Sequence, residues 1–204
     1  MLKRFKEQVL AGLAGLCMAA SSWAGPMYQV SVDTHTLESQ QGFIDFGLIG
    51  LVDSPLAKAL VSKLQGGKQT GPADILGNVS AAGADWLLVN DANSDLLLPW
   101  QFGSNLSFEV ELSGDWLTQH ATSGTTFAVK LFDQAFNSLL TNDSAGDLFR
   151  LELSNQQVGI SIFGHGSDSI PAATVTASTV PEPDTALLGA LAVGALWLAR
   201  RRQA

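Results

Sequence analysis

Between Leu106 and Ser113 apolar and polar residues alternate without a break. Leu106, Phe108, Val110 and Leu112 take one side; Ser107, Glu109, Glu111 and Ser113 take the other. Successive side chains on a strand point to opposite faces, so this order suits a half-buried β-strand and no helix. Shorter copies of the pattern recur. Tyr28, Val30 and Val32 alternate with Gln29, Ser31 and Asp33. Phe43 to Phe46 follows Gly42, and Phe127, Val129 and Leu131 alternate with small or polar residues. Leu148–Leu153 and Val158–Phe163 flank Ser154-Asn155-Gln156-Gln157, which reads as a hairpin. Asp74–Ala81, Trp86–Asn90 and Ala173–Ala177 are further short strands. Asp53–Leu64 fits either a helix face through Leu56, Leu60 and Leu64 or a strand; the strand is preferred, with Gly66-Gly67 ending it. Eight or nine short strands with frequent turns predict an all-β, antiparallel β-sandwich of jelly-roll type.

The two ends of the chain follow other rules. Lys3, Arg4 and Lys6 precede an apolar run from Val9 to Ala20, and Ser22-Trp23-Ala24 supplies small residues for cleavage after Ala24. That order is the grammar of a secretory signal peptide, passed through the secretion translocon and removed. At the other end, Val180-Pro181-Glu182-Pro183 holds an extended backbone. Thr185 to Ala199 is an uncharged apolar run of 15 residues. As a helix it would be about 22 Å long, against roughly 30 Å of bilayer hydrocarbon. Arg200-Arg201-Arg202 follows and would stay on the cytoplasmic side, leaving the body outside. The expected divisions are therefore 1–24 (signal helix), 25–178 (ectodomain) and 179–204 (tail with a hydrophobic helix).

Val180-Pro181-Glu182-Pro183, the short apolar run and the arginine cluster together resemble the PEP-CTERM sorting tail. The resemblance implies export by a bacterium that makes extracellular polysaccharide. It also implies an exosortase-type membrane enzyme that recognises Pro181-Glu182-Pro183 and removes the helix, so that the membrane holds the chain only transiently before release to the surface or matrix. The body is similar to one group of PEP-CTERM ectodomains with no assigned activity. The matching residues are Tyr28 to Thr34 with Leu37, Phe102-Gly103 through Leu106-Ser107-Phe108 to Leu112-Ser113-Gly114, and Ser123-Gly124 leading to Phe127. Asp53–Leu64 departs from the Gly/Ala-rich stretch of that group.

Charge narrows the partners. Six of the 11 basic residues lie at the ends; between Gly25 and Val180 only Lys58, Lys63, Lys68, Lys130 and Arg150 face 16 acids. Such a body repels polyphosphate, which argues against nucleic-acid binding. The one cysteine, Cys17, lies in the leader, so neither a disulfide nor a thiolate site is expected in the body.

Few residues suggest chemistry. Asp91, Asn93 and Asp95 place oxygen donors at alternate positions, as calcium loops do, with Asp85 as a further donor; Leu96 and Phe102 break the EF-hand order. Asn142-Asp143 with Asp147 is a second acidic turn. His35, His120 and His165 are isolated and lack paired metal spacing. Glu109 and Glu111 share a wet strand face. Trp100 and Trp116 follow turn signals and are expected to be accessible enough to stack on a sugar, whereas Trp86 is expected to pack. No catalytic constellation emerges. The expected protein is thus a non-enzymatic surface or matrix protein, with carbohydrate binding, calcium-assisted or not, as the alternative.

Overall fold

The computed structural model describes residues 25–91, 93–165 and 172–178. The expected signal and tail helices, with Ala24, Val180, Pro181, Glu182, Pro183, Arg200, Arg201 and Arg202, lie outside the described residues. Among the described residues no helix is long and apolar enough to cross a membrane.

The described chain is all-β. Its strands are β1 (Met27–Asp33), β2 (Gln41–Gly50), β3 (Lys58–Gln69), β4 (Asp74–Leu76), β5 (Asn78–Ala82), β6 (Asp85–Val89), β7 (Ser94–Ser113), β8 (Thr125–Asp133), β9 (Asp147–Ser154), β10 (Gln157–Ile162) and β11 (Ala173–Ser178). Every pair is antiparallel, and together they form one 11-stranded sheet with the path β10-β9-β8-β2-β7-β3-β6-β5. The sheet has more strands than the eight or nine expected. Single 3-10 turns at His35–Leu37 and Asp115–Leu117 are the only helical pieces among the described residues.

The 20-residue β7 organises the rest. On one edge its first half pairs with β2, from Leu48↔Ser94 to Gln41↔Gln101, and its second half pairs with β1, from Asp33↔Asn105 to Met27↔Glu111. On the other edge β3 follows it from Lys58↔Ser113 to Gln69↔Trp100, and β4 continues from Asp74↔Leu97. Pro99 sits inside this strand. Its carbonyl accepts from the Thr70 N–H, so its missing donor faces the gap between β3 and β4, where no ladder bond is lost.

Both β3 and β7 change direction together. The β3–β7 register shifts between Ser62 and Gly67, where Gly66 and Gly67 have φ of +91° and +149°. A Cβ on Gly66 would lie 1.7 Å from the Asn105 carbonyl oxygen, and one on Gly67 would lie 2.2 Å from that of Gln101. Gly66-Gly67 therefore does not end the strand, as the sequence suggested. The two glycines bend it and let β7 lie against it. Thr34 seals the bend: its N–H donates to the Ser104 carbonyl at 3.1 Å and its hydroxyl to that of Gly103 at 2.8 Å.

After the bend the chain returns. Lys58 pairs with both Ser113 and Val89, and the Ser94 hydroxyl donates to the Val89 carbonyl, so both ends of β7 reach the same strand end. Phe46 of β2 meets Phe108 of β7 edge-on at 5.2 Å between ring centroids, and Phe108 stacks near Phe149 of β9 at 6.4 Å. One apolar cluster thus unites both halves of β7. The β9–β10 turn at Asn155-Gln156, with φ of +48° and +64°, is the hairpin expected from the sequence.

Gly66→Ala is expected to destabilise the fold by at least about 2 kcal/mol more than Gly83→Ala. Gly83 also has positive φ, but nothing lies within 4 Å of an added Cβ there. Urea unfolding of the two variants compares them; equal midpoints would show that the bend does not need Gly66.

Candidate functional site: the outer face of the long half

The odd-numbered residues of β2 point away from the core, and the register lines them up with their neighbours. Gln41 lies beside Gln101. Phe43 sits between Pro99 and Phe132, Asp45 between Leu97 and Lys130, and Gly47 between Asp95 and Ala128. Further along, Ala128 pairs with Arg150 and Thr126 with Glu152. The face therefore carries an amide row, an aromatic row and a charged row in succession.

The charged row is largely out of water. Asp45 is 7 % exposed and Asp147 4 %. A register shift between Val129 and Lys130 swings Asp147 onto this face. Lys130 Nζ stands 3.9 Å from Asp45 Oδ2 and 3.8 Å from Asp147 Oδ1. Arg150 binds Asp147 and Asp143, the latter at 2.9 Å, and its guanidinium lies 4.8 Å over the Phe163 ring. The second acidic turn seen in the sequence is thus neutralised by Arg150.

Asp45 Oδ1 is buried with no hydrogen-bond partner, and the Asp95 carboxyl is a neighbour. Burial and the neighbouring Asp95 charge push the Asp45 carboxyl up to about 7, with Lys130 pulling the other way. Burial and the neighbouring negative charge both favour the protonated form of Asp45. Its burial keeps Asp45 away from solutes, and the row as a whole is a structural charge ladder. An open groove of about 530 Å³ runs past its end, lined by Ile49, Ala128, Lys130, Arg150 and Glu152 among others.

The aromatic row is capped by a tight loop. Asp133 accepts hydrogen bonds from Ala135 N at 2.8 Å, Asn137 N at 2.9 Å and Asn137 Nδ2 at 2.8 Å. The Asn137 bonds hold its carboxyl below the usual carboxylate range. This clamp keeps Phe136 at φ +61°, a region that costs a bulky residue roughly 1–2 kcal/mol. The Phe136 ring stacks on Phe43 at 4.7 Å and 11°, and meets Phe132 at 6.0 Å. It is still 56 % exposed.

The residues singled out from the sequence lie elsewhere. Trp100 and Trp116 are 5 % and 3 % exposed, contrary to the expected accessibility. Trp100 points inward from β7. Trp116 packs into the core from the 3-10 turn and donates its Nε1–H to the Ser113 carbonyl at 3.1 Å. Neither ring is open to a sugar. Trp86 is half-buried and packs against the core, as expected. The calcium pattern separates: Asp91 accepts both its bonds from Asn78, Asn93 is exposed in the link to β7, and Asp95 lies within β7 beside Asp45. Among the described residues no three His, Cys, Asp or Glu side chains are grouped to hold a metal ion. His35, His120 and His165 are exposed, the first bonded to Asp33 at 2.7 Å. Glu109 pairs with Lys63 at 2.8 Å.

Phe43, Phe132 and Phe136 escaped sequence reasoning. Phe43 and Phe132 occupy the solvent parity of their strands, and only Asp133 four residues before Asn137 signals the turn between them. Such a turn is a local signal, but the stacking is not.

The raised Asp45 group makes stability depend on pH. The fold keeps a proton that the unfolded chain, with an ordinary value of 3.8, gives up. Stability is therefore greatest below that value and declines as pH rises toward about 7. Asp45→Asn should remove this decline, worth on the order of a few kcal/mol. Urea unfolding of both proteins at about pH 5 and pH 8 tests it; parallel pH dependence in the two would refute the raised Asp45 carboxyl. No protein family, curated protein or solved structure matches the chain.

Proposed function

We propose that the protein is an exported, non-enzymatic component of a bacterial surface or extracellular matrix, handled by a membrane enzyme through its C-terminal tail. The observation that carries this reading is the ordered tail: Pro181-Glu182-Pro183, 15 uncharged residues, then three arginines. A signal-like leader at the opposite end agrees with it. A helix of about 22 Å is a marginal span, which suits a segment held briefly and then cut away. The exported body is acidic and has no thiol, consistent with a soluble domain outside the cytoplasm.

For the body we infer a β-sandwich of jelly-roll type. The return of β7 on itself, with Phe108 of its second half in contact with Phe46 of β2 and near Phe149 of β9, supports two facing layers. The charge ladder on the outer face is buried and internally paired, and this supports a structural body with no reaction centre.

Expression of the full chain in a host that makes an exosortase tests the tail. The wild-type protein is expected to lose its C-terminal segment and leave the inner membrane. A variant with Pro181, Glu182 and Pro183 replaced by alanine should keep its full mass and remain membrane-bound. Identical mass and distribution of the two would contradict processing at this motif.

A further inference from the structure

The aromatic row on the outer face carries more construction than a loop anchor needs. A turn that only joined β8 to β9 would place glycine or asparagine at a position of φ +61°; here it holds phenylalanine. Three hydrogen bonds to Asp133 hold that backbone in place, and the stack on Phe43 sets the plane of the ring. The result is a rigid aromatic surface, more than half of whose outermost ring meets solvent.

Amide side chains border it. Gln134 Nε2 donates to Gln41 Oε1 at 2.9 Å, and Gln101 Nε2 donates to the Ser39 carbonyl at 3.2 Å. Each bond orients a side chain whose other amide atom remains for a ligand: a donor on Gln41, and acceptors on Gln134 and Gln101. An exposed aromatic ring beside oriented, uncharged donors and acceptors matches a pyranose ring with equatorial hydroxyls. Such a ring has C–H faces that stack on aromatics and a rim that both gives and takes hydrogen bonds. Charge narrows the class. The six residues are neutral, and the body around them carries five bases against 16 acids, so an acidic glycan or a nucleic acid would be repelled. The geometry points to Phe136, backed by Phe43 and flanked by Phe132, as a stacking ring for a neutral, equatorially substituted polysaccharide, with Gln41, Gln101 and Gln134 bonding its hydroxyls. The platform is independent of the sorting tail, so either reading can fail alone.

The test uses the full chain in a detergent without a sugar headgroup, titrated calorimetrically with cellohexaose, laminarihexaose and xylohexaose. At least one should bind, and Phe136→Gly should weaken it about tenfold. Phe136→Trp should restore most of the affinity. Glycine takes φ +61° without strain, so Phe136→Gly should unfold at or above the wild-type midpoint, which separates lost binding from lost fold. Absence of binding to all three sugars would overturn the assignment. So would equal binding by Phe136→Gly, or tighter binding of alginate or of a polyproline peptide.

Discussion

Strand β7 is paired along both edges, and the partner on one edge changes half-way, from β2 to β1. Both its ends also reach the same place, which a 20-residue strand can do only where the backbone yields. Gly66 and Gly67 yield in the neighbouring strand, and each lies so close to the β7 carbonyls that a methyl group would not fit. Steric exclusion at two glycines thus sets where the sheet bends. The bend in turn decides which faces meet: Phe46, Phe108 and Phe149 come into one core because the two halves of β7 return to the same end. Hydrophobic burial then stabilises the arrangement that the glycines permit.

The same bend leaves the outer face of the long half free to carry polar groups, and the chain uses it unevenly. Near the groove the face buries Asp45 and Asp147 and half-buries Asp95 and Asp143, with one lysine and one arginine. Buried carboxylates are costly unless paired or protonated: Lys130 and Arg150 pair with Asp147, Lys130 also lies near Asp45, and burial with the nearby Asp95 charge favours the protonated form of Asp45. One strand step away the face is neutral and aromatic. There a carboxylate acts differently: Asp133 stays exposed and spends its oxygens on backbone N–H groups, which holds a strained phenylalanine outward. The two rows show how one residue type stabilises a fold in one place and shapes a surface in another.

On the proposed reading the body is presented and does not react, and its acidity opposes nucleic acids. The proposed contact surface, the Phe136 ring with its bordering amides, is open to solvent. A polysaccharide-rich exterior, the setting that we propose from the tail, is where such a surface would meet its ligand.

Much of this was legible in the chain. Alternation at Leu106–Ser113 and Phe127–Leu131 revealed strands, and Asn155-Gln156 revealed a hairpin, because side-chain period and turn chemistry are local properties. The first half of β7 was not legible. Its solvent side holds Leu97 and Pro99, which break the alternation, and Asp91 to Asp95 imitates a metal loop. Trp100 and Trp116 looked accessible because glycine and proline neighbours mark turns without saying what covers them. By itself the sequence determined the all-β class and the sign of the body's charge, since each depends on composition or spacing along the chain. Tertiary structure alone decided that the tryptophans are core, that Asp45 is buried beside Lys130, and that three distant phenylalanines meet on one face. Those facts depend on which strands become neighbours, and pairing between residues far apart in sequence leaves no local mark.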